Sequence, residues 1–190
     1  YPLWLTKMEE TGVWKPKNRK IHIVAEQVGY CQTILKAARE SIPKYNFELA
    51  EVTDIQYPVN DWSPVIQKLK EVDAAAIMID HWVAAEYAAF CKQFAADPVP
   101  GAIVYLQYGP SQPEFLQLGG SATEGFCWST VLGVYGDQIG QDFRKKYLAR
   151  YPEFVGVMGL VYTGNGYDIV QYLKRSWEAT KNPEDFAANC

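Results

Sequence analysis

Histidine is scarce in this chain: His22 and His81 are the only two in 190 residues. Neither has a cysteine or a second histidine at metal-ligand spacing, which removes the usual zinc patterns. The four cysteines, Cys31, Cys91, Cys127 and Cys190, form no CxxC pair. They read as single buried thiols, with one surface disulfide as the alternative, and they leave the compartment open. A GxSxG elbow and a Walker A loop are both missing. Gly119-Gly120 and Gly164-Asn165-Gly166 do not open a helix after a first strand, as a dinucleotide fingerprint requires. No cofactor is therefore expected. Positive charge is also short, with Lys+Arg 18 against Asp+Glu 22 and a net charge of −4. Nucleic acid is not an expected partner; the cluster Lys15, Lys17, Arg19 and Lys20 is broken by Pro16 and Asn18 and reads as a solvated loop. No apolar run reaches the length of a membrane span, so direct membrane insertion is not expected. Residues Tyr1 to Glu10 lack the basic lead and small-residue cleavage site of a signal peptide.

Aromatic side chains, by contrast, are abundant, with 13 Tyr, 6 Trp and 8 Phe. Aromatics beyond the needs of a core often line a binding crevice, although a well-filled core is an equally good reading. Apolar runs at Ile21–Ala25, Phe47–Val52, Ala74–Ile79, Ala102–Leu106 and Phe126–Val131 read as strands. Helical faces fall between them. Cys31, Ile34, Leu35, Ala38 and Ile42 form one, ended by Pro43. Trp62, Val65, Ile66 and Leu69 form the next, capped by Asp61. Tyr87, Phe90, Cys91 and Phe94 form a third, and a short helix is expected near Ser111. Strand and helix in alternation predict an α/β fold, a doubly wound, mostly parallel sheet flanked by helices.

The ends depart from that pattern. Residues 1–14 read as a helix with no strand before it, and residues 138–152 and 157–178 as two consecutive helices. Ile169, Leu173 and Trp177 would then need an apolar surface that the central sheet does not supply.

Open parallel sheets bind ligands beyond the carboxyl ends of their strands. Residues placed there are Gln27 and Tyr30, then Asp80, His81 and Trp82, then Gln107 and Tyr108, with Trp128 on the fifth strand. His22, inside a strand, reads as a satisfied core or edge residue. Aromatic faces with a few polar tips suit a small-molecule pocket, whereas no activated nucleophile or acid–base pair is among them. Catalytic residues are therefore none, and the chain is not read as an enzyme.

The segment Ile21–Tyr30 (IHIVAEQVGY), the helix start Asn60-Asp61-Trp62-Ser63, the run Ser111–Leu116 with Gly119-Gly120, and Glu124-Gly125-Phe126 together carry a family resemblance. With Phe143–Tyr151, Tyr162 and Tyr167–Val170, they resemble the substrate-binding proteins of branched-chain amino acid ABC transporters, in the type I periplasmic binding protein group. The resemblance implies an extracytoplasmic solute-binding protein. Such a protein captures a small polar metabolite (an amino acid, amide or small organic acid) between two lobes and delivers it to a membrane permease of an ABC transporter. It implies a periplasmic or lipid-anchored cell-surface location. The alternative is a ligand-sensing domain of a receptor or regulator with the same fold; a Rossmann-like enzyme is the weakest reading, since Gly29-Tyr30-Cys31 cradles no phosphate.

By the same comparison, residues 1–14 form a helix of a missing first lobe, 15–135 the α/β ligand-binding lobe, and 136–190 helices returning to the first lobe. The ligand-binding residues it implies are Tyr30, His81, Trp82, Gln107, Tyr108 and Tyr162. Family members often carry an acidic residue at the Tyr108 position, paired with a ligand ammonium. A phenol there offers only a neutral hydrogen bond, about half as strong as a charge-assisted one.

Overall fold

A computed structural model describes residues 1–129, 136–154 and 161–189. The chain divides into two compact units, Tyr1–Ser129 and Thr130–Cys190.

The first unit runs α1 (Pro2–Glu10), β1 (Lys20–Glu26), α2 (Gly29–Ser41), β2 (Glu48–Ile55), α3 (Ser63–Val72), β3 (Ala76–Asp80), α4 (Ala84–Ala96), β4 (Ile103–Leu106), α5 (Pro113–Gly119) and β5 (Cys127–Trp128). All pairings are parallel and the strand order is β2-β1-β3-β4-β5. This is the doubly wound sheet the alternation predicts. Helices cover both faces, so the inner strands must be apolar on both sides. Within β3 the period of two is plain: Ala76 and Met78 enter one core with Ile21, Ile23, Leu35 and Phe47. Ile77 and Ile79 enter the other, with Trp62, Leu69, Phe90 and Phe115.

Leu69 is fully buried in the second of these cores. Leu69→Ala should cost about 2–5 kcal/mol in urea or thermal unfolding, from lost transfer energy and the cavity left behind.

Several local expectations shift. In α1, Leu5 is fully buried in the first unit's core and the Tyr1 hydroxyl donates to the Ile77 carbonyl at 3.1 Å. An apolar face on a short helix takes the nearest apolar surface, and here that is the sheet. Asp61 does not occupy the cap position of α3, which is Trp62. Its carboxylate still accepts the Ser63 N–H at 2.9 Å, capping from one residue earlier. Pro43 ends α2 as expected, but the chain tightens into a single-turn 3₁₀ helix at Ile42–Tyr45 before leaving. The helix expected near Ser111 starts as a 3₁₀ turn at Gly109–Ser111 and becomes α5 from Pro113. The fifth strand pairs only over Cys127–Trp128, and its expected continuation past Ser129 lies outside the described residues.

Cys31 and Cys91 are buried free thiols, Cys127 is a half-buried free thiol, and Cys190 lies outside the described residues. His22 is fully buried, with its Nε2 and the Thr53 hydroxyl 2.8 Å apart. Burial pulls its pKa down to about 4, so the ring is neutral at physiological pH.

The second unit contains α6 (Gln138–Arg150) and α7 (Val161–Thr180). Asp137 caps α6 by accepting the Gly140 N–H at 2.7 Å. Phe143 and Tyr167 join the two helices, their rings 5.2 Å apart. Ile169, Val170, Tyr172, Leu173 and Trp177 of α7 are all exposed. Among the described residues no helix is long and apolar enough to cross a membrane.

Candidate functional site

The strand order places β1 between β2 and β3, so the chain leaves β1 toward one edge of the sheet and later returns on its other side. That reversal opens a crevice between the carboxyl ends of β1 and β3, the place where open α/β sheets hold ligands. Ala25 and Asp80 pair there, and the residues just beyond them are Glu26 and His81.

These two side chains bridge the strand ends. His81 Nδ1 and the Glu26 carboxylate share a hydrogen bond, with both side chains buried. Tyr57, Trp62 and Tyr87 surround the imidazole, with ring centroids 6.3, 6.5 and 5.6 Å away. The Tyr87 hydroxyl accepts the His81 N–H at 3.0 Å and donates to the Ile79 carbonyl at 2.7 Å. The Gln107 carbonyl lies 2.8 Å from the same oxygen. One buried phenol therefore ties the ends of β3 and β4 together.

The β4 end is built around a strained turn. Tyr108 has φ +58° and ψ −58°, and the Gly109 N–H reaches the Gln107 carbonyl at 2.6 Å across it. That is a γ-turn of the rarer hand, a costly conformation for a residue with a side chain. The Tyr108 carbonyl is held by both the N–H and the hydroxyl of Ser111, at 2.9 and 2.7 Å. Gly109 is required by close approach: a Cβ there would sit 2.5 Å from the Tyr87 ring.

Gln107 lies in the middle of a side-chain chain. Its Nε2 donates to the Tyr30 hydroxyl at 2.9 Å, and its Oε1 accepts from the Tyr105 hydroxyl at 3.2 Å. Tyr105 in turn meets the Ser129 hydroxyl at 2.6 Å. The structure thus brings Tyr30 and Gln107 into contact and sets Trp82 beside the Tyr108 turn, where the Gln112 amide donates to the Trp82 carbonyl at 3.3 Å.

Exposure separates the candidates. Tyr30 is 47% exposed and Trp82 46%, and both face the strand-end region as large apolar rings. His81 is fully buried, so its ring shapes the crevice from beneath. Tyr162 belongs to α7 in the other unit, and its side chain lies outside the described residues. Trp128 packs edge-on against Phe115 at 5.6 Å and serves the core.

Three contributors escaped sequence reasoning. Tyr57, 55% exposed, follows the edge strand β2 and packs toward His81. Glu26 and Tyr87 act through partners that only folding brings near. The Tyr57–Pro58 dipeptide after a strand was the one available signal for Tyr57.

Asp80 is the electrostatic exception. It is fully buried, with the thiol of Cys31, a weak donor, facing its carboxylate. Burial raises its pKa to about 7, opposed by the facing thiol of Cys31 and reinforced by the Glu26 charge. Among the described residues, no cluster of His, Cys, Asp or Glu side chains is arranged to hold a metal ion.

Comparison with known proteins fits this geometry. The chain overlaps at 99% of its length, 28% identity and TM-score 0.87 with a putative branched-chain amino acid ABC transporter protein from Silicibacter pomeroyi, covering 47% of that chain. A leucine-binding protein from Thermotoga maritima matches over 99% of this chain and 52% of its own, at 15% identity and TM-score 0.75. An ABC transporter solute-binding protein from R. palustris, in complex with benzoate, matches over 97% and 48%, at 16% identity and TM-score 0.73. The chain thus spans about half the length of the solved structures it matches. A comparison with curated proteins finds no match. The family model described as periplasmic binding protein covers residues 6–189, nearly the whole chain, which therefore belongs to the periplasmic binding protein family.

Proposed function

We propose that this chain forms the ligand-closing lobe of an extracytoplasmic solute-binding protein. It captures a small polar metabolite (an amino acid, amide or small organic acid) and presents it to an ABC permease. The observation that carries this reading is the pair of exposed aromatic rings, Tyr30 and Trp82, at the switch point of a parallel sheet. Their loops are fixed from below by the Glu26–His81 pair and the Tyr87 hydroxyl. A preorganised aromatic wall loses little entropy on meeting a ligand. Tyr30 and Trp82 stack on the ligand, Tyr108 and Gln107 border it, and His81 positions the Trp82 loop.

The opposite wall comes from a first lobe, to which residues 136–190 return; the exposed apolar face of α7 suits such a contact. Hinge closure would bury the ligand and signal occupancy to the permease. The reading places the protein in the periplasm or lipid-anchored at the cell surface.

Tyr30→Ala and Trp82→Ala should each weaken ligand binding about tenfold or more, a loss of about 1.4 kcal/mol. The melting temperature should barely move, because both rings are half exposed. A thermal-shift screen of amino acids, amides and small carboxylates, followed by calorimetric titration of hits, measures this. Parent-like binding by both variants contradicts the site.

A further inference from the structure

Tyr30 is the second residue of α2, and its ring is half exposed. Its hydroxyl is met by a residue 77 positions further along the chain, Gln107 beyond β4. That contact ends a series of three. The Gln107 amide nitrogen donates to the Tyr30 oxygen at 2.9 Å, and the Gln107 amide oxygen accepts from the Tyr105 hydroxyl at 3.2 Å. Tyr105 and Ser129 then bring their hydroxyls within 2.6 Å. A hydroxyl has one proton to give, and Tyr105 gives its proton to Gln107. Ser129 is therefore the donor in the last contact. Hydrogen bonds arranged in series polarise and strengthen one another.

The end of the series away from the crevice is rigid. Tyr105 lies in β4, paired with Met78 of β3 on one side and Cys127 of β5 on the other. Its ring packs against Tyr1 and Trp4, with centroids 5.3 and 5.9 Å away. The Gln107 backbone is held as well: its N–H donates to the Ile79 carbonyl at 3.0 Å, and its own carbonyl accepts the Gly109 N–H at 2.6 Å. Both Tyr105 and Gln107 are half-buried, which shields the middle of the series from water. The Gln107 side chain is then the one long flexible link between a fixed strand and the exposed ring. Tyr105 and Tyr30 hold its two ends.

We propose that Tyr105, acting through Gln107, is a positioning residue for the Tyr30 ring, with Ser129 completing the anchor. The assignment rests on the solute-binding reading above, which puts Tyr30 on the ligand, and it deepens that reading by naming what holds the ring in place. A side chain fixed before binding loses less freedom when the ligand arrives. The ring of Tyr105 serves the core, whereas its hydroxyl serves the crevice, and Tyr105→Phe separates the two.

The test follows the Gln107 carboxamide by proton–nitrogen NMR in the intact binding protein carrying this chain, its signal identified by its loss in Gln107→Met. In the parent the two amide protons should differ in shift and exchange slowly with water. Tyr105→Phe should move them toward the shifts of a solvated glutamine and speed their exchange, and Tyr30→Phe should do the same from the other end. Amide protons unmoved by Tyr105→Phe overturn the inference. Calorimetric titration with leucine, acetamide and benzoate supplies a second readout. A compound that the parent binds should bind Tyr105→Phe about threefold to tenfold more weakly, the effect of one lost hydrogen bond. The double variant Tyr30→Phe/Tyr105→Phe should bind no more weakly than Tyr30→Phe, because without the Tyr30 hydroxyl the series has nothing to hold. Losses that add, or parent-like binding by Tyr105→Phe, overturn the positioning role and leave the solute-binding reading standing. Silence from all three compounds counts against that reading, and the Gln107 signal then decides by itself whether Tyr105 sets the Gln107 contact with Tyr30.

Discussion

Tyr87→Ala is expected to cost about 3–5 kcal/mol of folding free energy, the range for removing a fully buried aromatic ring. Tyr87 is 0% exposed and touches both core and strand ends. Beyond the cavity, the variant strands the His81 N–H, for which the phenol oxygen is the partner at 3.0 Å, and frees the carbonyls of Ile79 and Gln107. Tyr87→Phe separates the two effects. It keeps the ring and loses the hydroxyl, so its cost should be about 1–3 kcal/mol, that of a buried polar group left unpaired. Chemical denaturation of both variants checks the ranking. Because the same hydroxyl spans the ends of β3 and β4, Tyr87→Phe should also weaken ligand binding, while a distant core change such as Leu69→Ala should act only through unfolding. Equal stability of Tyr87→Phe and parent would mean that the hydroxyl contributes nothing to holding the strand ends.

The second large effect is a change in the shape of the stability–pH curve. Asp80 titrates near 3.8 when unfolded and at about 7 when folded. Between those values the unfolded chain has lost the proton and the folded chain keeps it, so stability falls as pH rises through this window. The shift corresponds to at most about 4 kcal/mol. His22 acts in the opposite sense. Its pKa drops from 6.5 to about 4 on folding, so its contribution is present above pH 6.5 and is lost as pH falls toward 4. In the parent these slopes oppose each other across much the same range. Asp80→Asn removes one of them. The variant should be more stable than the parent at pH 8, and its stability should rise from pH 4 to 6.5 and then stay level. Thermal melts at half-unit pH intervals give both curves. A variant whose curve parallels the parent's would show that Asp80 is ionised in the folded protein at neutral pH.

What the sequence reveals here follows from the range of the interactions involved. Strands buried on both faces announce themselves as apolar runs, so Ile21–Ala25 and Ala74–Ile79 locate β1 and β3 to within two residues. Helices with one apolar stripe are equally visible, as Val65, Ile66 and Leu69 show in α3. Rings at strand ends can be found by combining that map with the crevice rule, which is how Tyr30 and Trp82 emerge. Contacts between distant segments leave no local trace. Glu26 and His81 are 55 residues apart, and nothing in either neighbourhood announces the other. Tyr87 reads as one more core residue on a helical face, since periodicity registers the ring and is blind to the hydroxyl. The short α1 helix shows its apolar residues but not which surface covers them, as with Leu5 on the first unit's core. Tyr57 was missed because β2 is an edge strand with few fully buried positions, so its end is poorly marked.

The central claim is that ligand meets this chain at the carboxyl ends of β1, β3 and β4. Hydrogen–deuterium exchange of the intact binding protein, with and without the tightest-binding compound from the screen, tests it most directly. The account predicts slowed exchange in the loops around residues 26–31, 80–83 and 107–112. Protection elsewhere, for instance around the cleft of about 410 Å³ lined by Ile139, Phe143, Tyr147 and Tyr167, with those three loops unchanged, would contradict it.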